Sequence, residues 1–302
     1  MEINSLLNLP LPELLSLANK IRKEHFGSKL ELCSIINAKS GYCNQDCKFC
    51  AQSTHHSADI FTYPLKRKEE ILKAAKKAKD IGAEKFGIVT SGNYLTAEEL
   101  EEIILAISQI RKQVDIVVCA SLGALNEEEL RRLKQAGLTR YHHNIETSPR
   151  FYKEIVSTHD FSQRVNTVRA AKAVGLEVCS GGIIGIGETW QDRIDMALLL
   201  EELDVDSVPI NILVAIKGTS LENLKPISCN DVIRTLCIFR IILKNKLIKI
   251  AAGRERALGD SQSLGFMAGA NGMLIGGYLT IKGRGLEADY KLIEEVKKLW
   301  DE

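Results

Sequence analysis

"EEILKAAKKAKDIGAEKFGIVTS", Glu69 to Ser91, sets two periodicities back to back. Its first half carries apolar residues at helical spacing, Ile71, Leu72, Ala75 and Ala78, and stops at Gly82, where a helix end favours a left-handed residue. Its second half, "KFGIVTS", is a short apolar and β-branched run of the kind that parallel sheets bury on both faces. The same unit recurs along the chain. "LELCSIIN", "DIVVCASLG", "YHHNIE", "EVCSGGIIGI", "SVPINILVA", "IKIAAGR" and "GMLIGG" read as further strands, eight with the first. "AEELEEIILAISQI", "NEEELRRLKQAG" and "DVIRTLCIFRIILKN" read as amphipathic helices between them, and Gly137 and Gly175 end helices as Gly82 does. Strand-then-helix units without a Pro/Ser-rich linker or low-complexity tract predict an α/β fold, a single (βα)8 barrel of the TIM type. An open doubly wound sheet is the structural alternative. The expected layout is one domain over 1–302, with an N-terminal helical extension at 1–28, the barrel at 29–280 and a C-terminal segment at 281–302 that carries the helix "DYKLIEEVKKLW".

Composition narrows the partners. The chain has 302 residues, 45% of them hydrophobic, enough to bury a large core. Lys plus Arg (40) and Asp plus Glu (39) nearly cancel, so no basic field is expected for nucleic acid or an anionic membrane surface. The opening residues lack a secretory pattern and no apolar run would span a bilayer, which leads to the expectation of a soluble cytoplasmic protein. In a reducing compartment eight cysteines point to metal ligands where clustered and to core packing where scattered.

The cluster is "CNQDCKFC", in the long segment after the first strand, at the barrel end where chemistry sits. Cys43, Cys47 and Cys50 can hold three irons of a 4Fe-4S cubane and leave the fourth iron open. A zinc site completed by His55 or His56 is the other reading, although zinc ligands usually come as two separated pairs. Polar residues among apolar strand neighbours are further candidates. Alternation turns Asn144 and Glu146 to one face and Ile145 to the other, and Asn211, between Ile210 and Ile212, would point inward as a buried amide in need of partners. The Gly run "GGIIGIGE" lets backbone approach a ligand closely, with Glu188 opening the next helix.

The spacing of "CNQDCKFC", with Phe49 before the last cysteine, resembles the signature of radical S-adenosylmethionine (SAM) enzymes, whose open iron binds the amino and carboxylate groups of SAM. "YHHNIETSP", "VCSGGIIGIGET", "SVPINILV", "AAGRE" and "FMAGAN" are similar, in order and interval, to segments of the biotin synthase family. That resemblance implies a 4Fe-4S cluster on Cys43, Cys47 and Cys50, and SAM held by Tyr42, Phe49, Asn144, Glu146, Arg164, Gly185 and Glu188. Glu146 stands where the family usually has Asp. It implies dethiobiotin as substrate, its urea met by Asn211 beside Asn144 and its tail carboxylate met from the late loop "YLTIKGRG" by Thr280, Lys282 and Arg284. The implied chemistry is cleavage of SAM to a 5'-deoxyadenosyl radical, hydrogen abstraction from dethiobiotin, and sulfur insertion from a second, inner iron-sulfur cluster. Flavodoxin or ferredoxin as electron donor, an iron-sulfur assembly system and a homodimer follow from the family as well.

The chain departs from the family it resembles at the inner cluster. The family usually supplies three cysteines and an arginine, and Cys119, Cys179 and Arg254 match three of these, while the second strand has Gly87 in place of the remaining cysteine. Either the inner cluster is absent or another residue holds it; Cys33, on the neighbouring first strand and expected to face inward, is the candidate ligand, and the space left at Gly87 would admit a larger four-iron cluster in place of the usual 2Fe-2S one. A small buried core residue is the alternative role for Cys33. Cys237, among apolar residues of an outer helix, and Cys229, in the loop before it, are expected off the barrel axis. Two other functions stay open at this point: another radical SAM enzyme on the same barrel, such as a hydrogenase maturase or a methylornithine-forming mutase, and a non-enzymatic iron-sulfur or zinc carrier.

Overall fold

A computed structural model describes residues 3–277 and 283–301. Nine parallel strand segments build the core: β1 (Glu31–Lys39), β2 (Lys85–Thr90), β3 (Val117–Ser121), β4 (Arg140–His142), β5 (Glu177–Cys179), β6 (Gly182–Ile184), β7 (Ser207–Ile212), β8 (Leu247–Ile250) and β9 (Gly272–Leu274). They pair in the order β5-β4-β3-β2-β1-β9-β8-β7-β6, and β5 also pairs with β7. Both β5 and β6 therefore lie along β7 and share one place in a closed eight-position barrel, which excludes the open sheet. The break between them falls at Ser180 and Gly181, inside the run that alternation reads as one strand. A side chain at Gly181 would collide with the Pro209 carbonyl of β7, so only glycine permits this close approach.

The fourth strand is also shorter than its apolar run suggests. Past His142 the chain leaves the ladder, and Glu146 takes a left-handed φ of 70° while a single bridge joins it to Gly182. Asn144 and Glu146 nonetheless stay on the cavity side and Ile145 is fully buried.

Helices wrap the outside, each with its apolar face on the sheet. In α2 (Lys68–Asp80) the buried residues are Ile71, Ala75 and Ala78, as the spacing predicts, and α3 (Ala97–Gln113) starts in a capping box between Thr96 and Glu99. The helix α4 (Glu127–Ala136) ends at Gly137 with φ 110°. The short α5 (Tyr152–Ile155) and then α6 (Phe161–Ala173) follow β4; α7 (Trp190–Glu202) follows β6; α8 (Cys229–Leu243) follows β7. Beyond β8 come α9 (Arg254–Leu258) and α10 (Gln262–Met267). Cys229 thus begins a helix rather than lying in a loop, and Cys237 is wholly buried in that helix. Outside the barrel units, α1 (Leu11–Phe26) packs on α8, and α11 (Leu286–Asp301) packs on α10. Arg22 of α1 stacks on Trp300 of α11 at 4.0 Å, tying the two added helices together.

Candidate functional site

The mouth of the barrel is built from the loop after β1. Its shape is set by backbone bonds: Cys43 N–H donates to Gln52 O (3.2 Å), Thr54 N–H to Cys43 O (2.7 Å) and Cys50 N–H to Cys47 O (2.9 Å). Asp46, between the first two cysteines, fastens the loop to the α5–α6 connection. Its carboxylate accepts from the N–H groups of Ser157 (3.0 Å) and Thr158 (3.2 Å) and from both hydroxyls. Burial works against the charge, but the bonds from Ser157 and Thr158 hold this carboxyl far below its ordinary range. His55 and His56 turn their Nε2 atoms to the carbonyls of Asn44 (3.1 Å) and Cys47 (3.0 Å). They brace the loop from within.

Cys47 and Cys50 feel each other and Cys43 as charges, together with Arg164 and Glu146, so the three thiols form one group beside those two side chains. Burial pushes the Cys47 thiol up to about 12 and the Cys50 thiol up to about 11. Such thiols become ligands by releasing their protons to solvent as the metal binds the thiolate. Among the described residues no three His, Cys, Asp or Glu side chains are gathered tightly enough to grip a single metal ion. Three cysteine sulfurs spread over a loop suit a cubane, whose irons sit apart, better than one zinc. Phe49 packs with Cys47, Tyr152 and Ile155 in a small apolar cluster of its own. Tyr42, in contrast, is 66% exposed, and its hydroxyl accepts from Thr62 at 3.4 Å.

Arg164 is largely enclosed, its side chain 12% exposed. It donates to the Tyr152 hydroxyl (2.6 Å) and to the Asn144 carbonyl (3.0 Å), and lies 3.7 Å from Glu146. Burial raises the Glu146 carboxyl, with Arg164 opposing. The Asn144 amide accepts from Gly181 N–H (3.2 Å), meets His142 Nε2 (3.1 Å) and donates to Glu146 (3.3 Å). Asn211 is pinned across the strands: it donates to Gly182 O (3.3 Å) and accepts from Ala252 N–H (3.2 Å). One amide N–H and one oxygen lone pair remain for a ligand. Glu188 is placed differently from expectation. Its carboxylate accepts the N–H groups of Gly185 (2.9 Å) and Ile186 (2.8 Å) and pairs with Arg193 (2.7 Å), so Glu188 and Gly185 complete a turn and spend on each other the groups expected to face SAM.

Below the mouth lies a cavity of about 420 Å³, lined by Asn144, Glu146, Arg164 and Asn211 above and by Cys33, Cys119 and Cys179 below. Cys33 does face inward, and lysine, not arginine, answers it from β8. Lys249 Nζ stands 3.0 Å from Cys33 Sγ and 2.8 Å from Glu31. Arg254 is a correction. It sits beyond β8 on the outer side, where it donates to Gln262 (2.9 Å) and the Leu274 carbonyl (2.8 Å) and pairs with Asp289 of α11 (2.5 Å). The room expected at Gly87 is also smaller than it reads, because a Cβ there would come within 3.0 Å of Ile35.

The cavity floor escaped sequence reasoning altogether. Glu31 receives Lys249 (2.8 Å), Arg140 (2.8 Å) and Lys85 (3.2 Å), and Glu177 receives Arg140 and Lys85. Three cations face two carboxylates, of which Glu177 is half-exposed, a surplus of one positive charge. Such a surplus favours an anion directly above, where the thiols are. Burial pushes Cys119 up to about 12 and raises Cys33, whereas at Cys179 burial is outweighed by His142 and Lys249, which bring it down to about 6. Three sulfur donors over a cationic floor are chemically matched to an anionic iron-sulfur cluster. Thr280 and Lys282 fall outside the described residues, and Arg284 pairs with Asp260 (3.5 Å), away from the cavity lining.

A closed parallel barrel with a three-thiol loop at its mouth and polar residues facing a deep chamber is the arrangement of a radical SAM enzyme, and residues 38–200 match the radical SAM superfamily model. Residues 209–297 match the biotin and thiamin synthesis associated domain. The chain is 51% identical over 300 residues to the biotin synthase of Thermotoga petrophila, covering 99% of each, and 48% identical over 291 residues to that of Clostridium perfringens, covering 96% of this chain and 91% of the relative. It belongs to the biotin synthase family, which inserts sulfur into dethiobiotin by radical SAM chemistry with a 4Fe-4S cluster and SAM. Solved structures agree on the fold: methylornithine synthase (TM-score 0.82, 22% identity, 97% of this chain and 91% of that one) and the FeFe-hydrogenase maturase of Carboxydothermus hydrogenoformans (0.80, 20%, 97% and 77%). At those identities the likeness concerns the barrel alone. Among the described residues no helix is long and apolar enough to cross a membrane.

Proposed function

We propose that one chamber carries the whole reaction, with Cys43, Cys47 and Cys50 holding the SAM cluster at its mouth and Cys33, Cys119 and Cys179 holding an auxiliary iron-sulfur cluster at its floor. The observation that supports this most is the continuous cavity lined by both polar and thiol groups, which brings substrate carbon and sulfur source into one enclosure. When bound, the mouth cluster and SAM supply the hydrogen-abstracting radical and the floor cluster supplies sulfur. The protein's own part is orientation and exclusion of water. Arg164 offers its guanidinium to the SAM carboxylate and fixes Glu146 and the Asn144 carbonyl in the same stroke. Asn144 and Glu146 separate SAM from substrate, and Asn211 presents its remaining donor and acceptor to the urea of dethiobiotin. Phe49 packs against Cys47, and by the family resemblance the tail carboxylate is assigned to Thr280 and Lys282. Residues 1–302 act as one domain in this reading.

The auxiliary cluster is a two-iron or a larger four-iron type. The same reading gives flavodoxin or ferredoxin as electron donor, an iron-sulfur assembly system for reloading, a homodimer and a cytoplasmic setting. The test is anaerobic reconstitution with iron and sulfide, then incubation with a reductant, SAM and dethiobiotin, with products analysed by mass spectrometry. Biotin together with 5'-deoxyadenosine and methionine is the expected result; SAM cleavage that leaves dethiobiotin untouched would assign the chamber to a different substrate.

A further inference from the structure

Lys249 is a buried cation of the cavity wall to which the proposed function gives no task. It stands alone between Ile248 and Ile250, both fully buried on the helix side of β8, so alternation turns its side chain into the barrel. The ammonium is held at 2.8 Å from Glu31 and 3.0 Å from the Cys33 sulfur. Its N–H donates to that sulfur, whereas Cys179 is met by the Ser207 hydroxyl at 3.5 Å and by the His142 ring. The floor does not need Lys249 for charge balance. Without it, Lys85 and Arg140 face Glu31 and Glu177, two against two. Its charge is the surplus one, and its N–H bonds the Cys33 sulfur.

We infer that Lys249 is a positioning residue for the auxiliary cluster, fixing the Cys33 sulfur and drawing electron density from it through an N–H···S bond. The inference rests on the assignment of Cys33 as a ligand of that cluster. A hydrogen bond and a positive charge at one ligand sulfur stabilise the more reduced, more negative state, so Lys249 raises the reduction potential of the inner cluster above what the three thiolates alone would set. Its reach also orients Cys33 before any iron arrives. A lysine suits this place because its ammonium is a compact point donor that can serve a carboxylate and a sulfur together.

The experiment compares reconstituted wild-type holoenzyme with Lys249→Met, Lys249→Gln and Lys249→Arg in EPR-monitored redox titrations and in the rate of iron loss to a chelator, with the mouth cluster as internal reference. The Met and Gln variants should shift the inner cluster's midpoint to more negative potential and lose its iron at least about tenfold faster, the usual scale for removing a group that bonds a metal ligand. The Arg variant, which keeps the charge, should lie nearer wild type in potential. Unchanged midpoint and unchanged iron loss in Lys249→Met would overturn the inference, as would a fall in thermal stability with the midpoint unmoved, the mark of a merely structural lysine. If the Met variant fails to fold, the Gln and Arg pair decides: a shift in Gln beyond that in Arg supports the role, and equal midpoints refute it. Cys33→Ser is run alongside. Full inner-cluster iron in that variant would remove the ligand assignment itself, a different failure from an unmoved midpoint in Lys249→Met.

Discussion

Cys43, Cys47 and Cys50 hang from a loop shaped by its own backbone and by the Asp46 clamp, whereas Cys33, Cys119 and Cys179 rise from three separate strands over a floor of ion pairs. The mouth set lies within eight residues of sequence, beside one cation, Arg164. The floor set is gathered only by barrel closure and sits over a surplus of positive charge. A loop can yield as a substrate-sized cofactor enters above it. Strands fixed in register on both sides cannot, so whatever the floor holds is positioned by the fold itself.

Removing one mouth thiol should give the largest effect that separates the two sets. Cys43→Ala, Cys47→Ala or Cys50→Ala leaves the barrel folded, since none belongs to the main core, and should abolish reductive SAM cleavage, measured as 5'-deoxyadenosine. Wild-type cleavage in any of the three would end the division of labour between mouth and floor.

A smaller effect is expected between the sets. Asn211→Ala removes an amide whose free donor and acceptor face the chamber, and loss of such bonds costs about 1–3 kcal/mol. Dethiobiotin affinity, measured by titration calorimetry on the SAM-loaded enzyme, should fall by roughly fivefold to a hundredfold, the same energy as a ratio. SAM affinity should hold. Equal loss of both ligands would mean that Asn211 serves the barrel wall and not the substrate.

How much of this could be read in advance follows from the same contrast. The mouth thiols were legible because their spacing is local, and the barrel because helix and strand periodicities alternate without a break. The fifth strand's split was hidden, since the close approach of Gly181 to Pro209 is a contact between distant segments. The floor was hidden for that reason too. Glu31, Lys85 and Arg140 each look like an ordinary charge at the start of a strand until closure brings them together. Lys249 had a local signal, a lone cation between two isoleucines, the same pattern that pointed Asn211 inward. Arg254, five residues on, matched by resemblance but lies past the end of β8, where the chain has turned out toward α11. Glu188 followed the expected turn, yet its acceptors close the turn rather than face a ligand.

The gentlest probe sharpens the comparison inside the floor set. In iron-free protein Cys179, brought down to about 6, should be a thiolate at neutral pH, and Cys119, pushed up to about 12, should stay protonated. A small alkylating reagent at pH 7.5 should therefore mark Cys179 before Cys119, as read by peptide mass spectrometry. The preference should fade as pH falls through about 6, where Cys179 regains its proton. Equal labelling across that range would show that His142 and Lys249 do not govern the Cys179 thiol.

The central claim, that the floor carries its own cluster on Cys33 together with Cys119 and Cys179, is tested most directly by counting iron and sulfide per chain. Cys33→Ser and Cys237→Ser are reconstituted anaerobically beside wild type, Cys237 being a thiol buried in α8 away from the cavity. Cys33→Ser should lose the inner cluster's iron and its biotin formation while SAM cleavage continues at the mouth, and Cys237→Ser should keep its full complement. A full iron and sulfide count in Cys33→Ser would contradict the account.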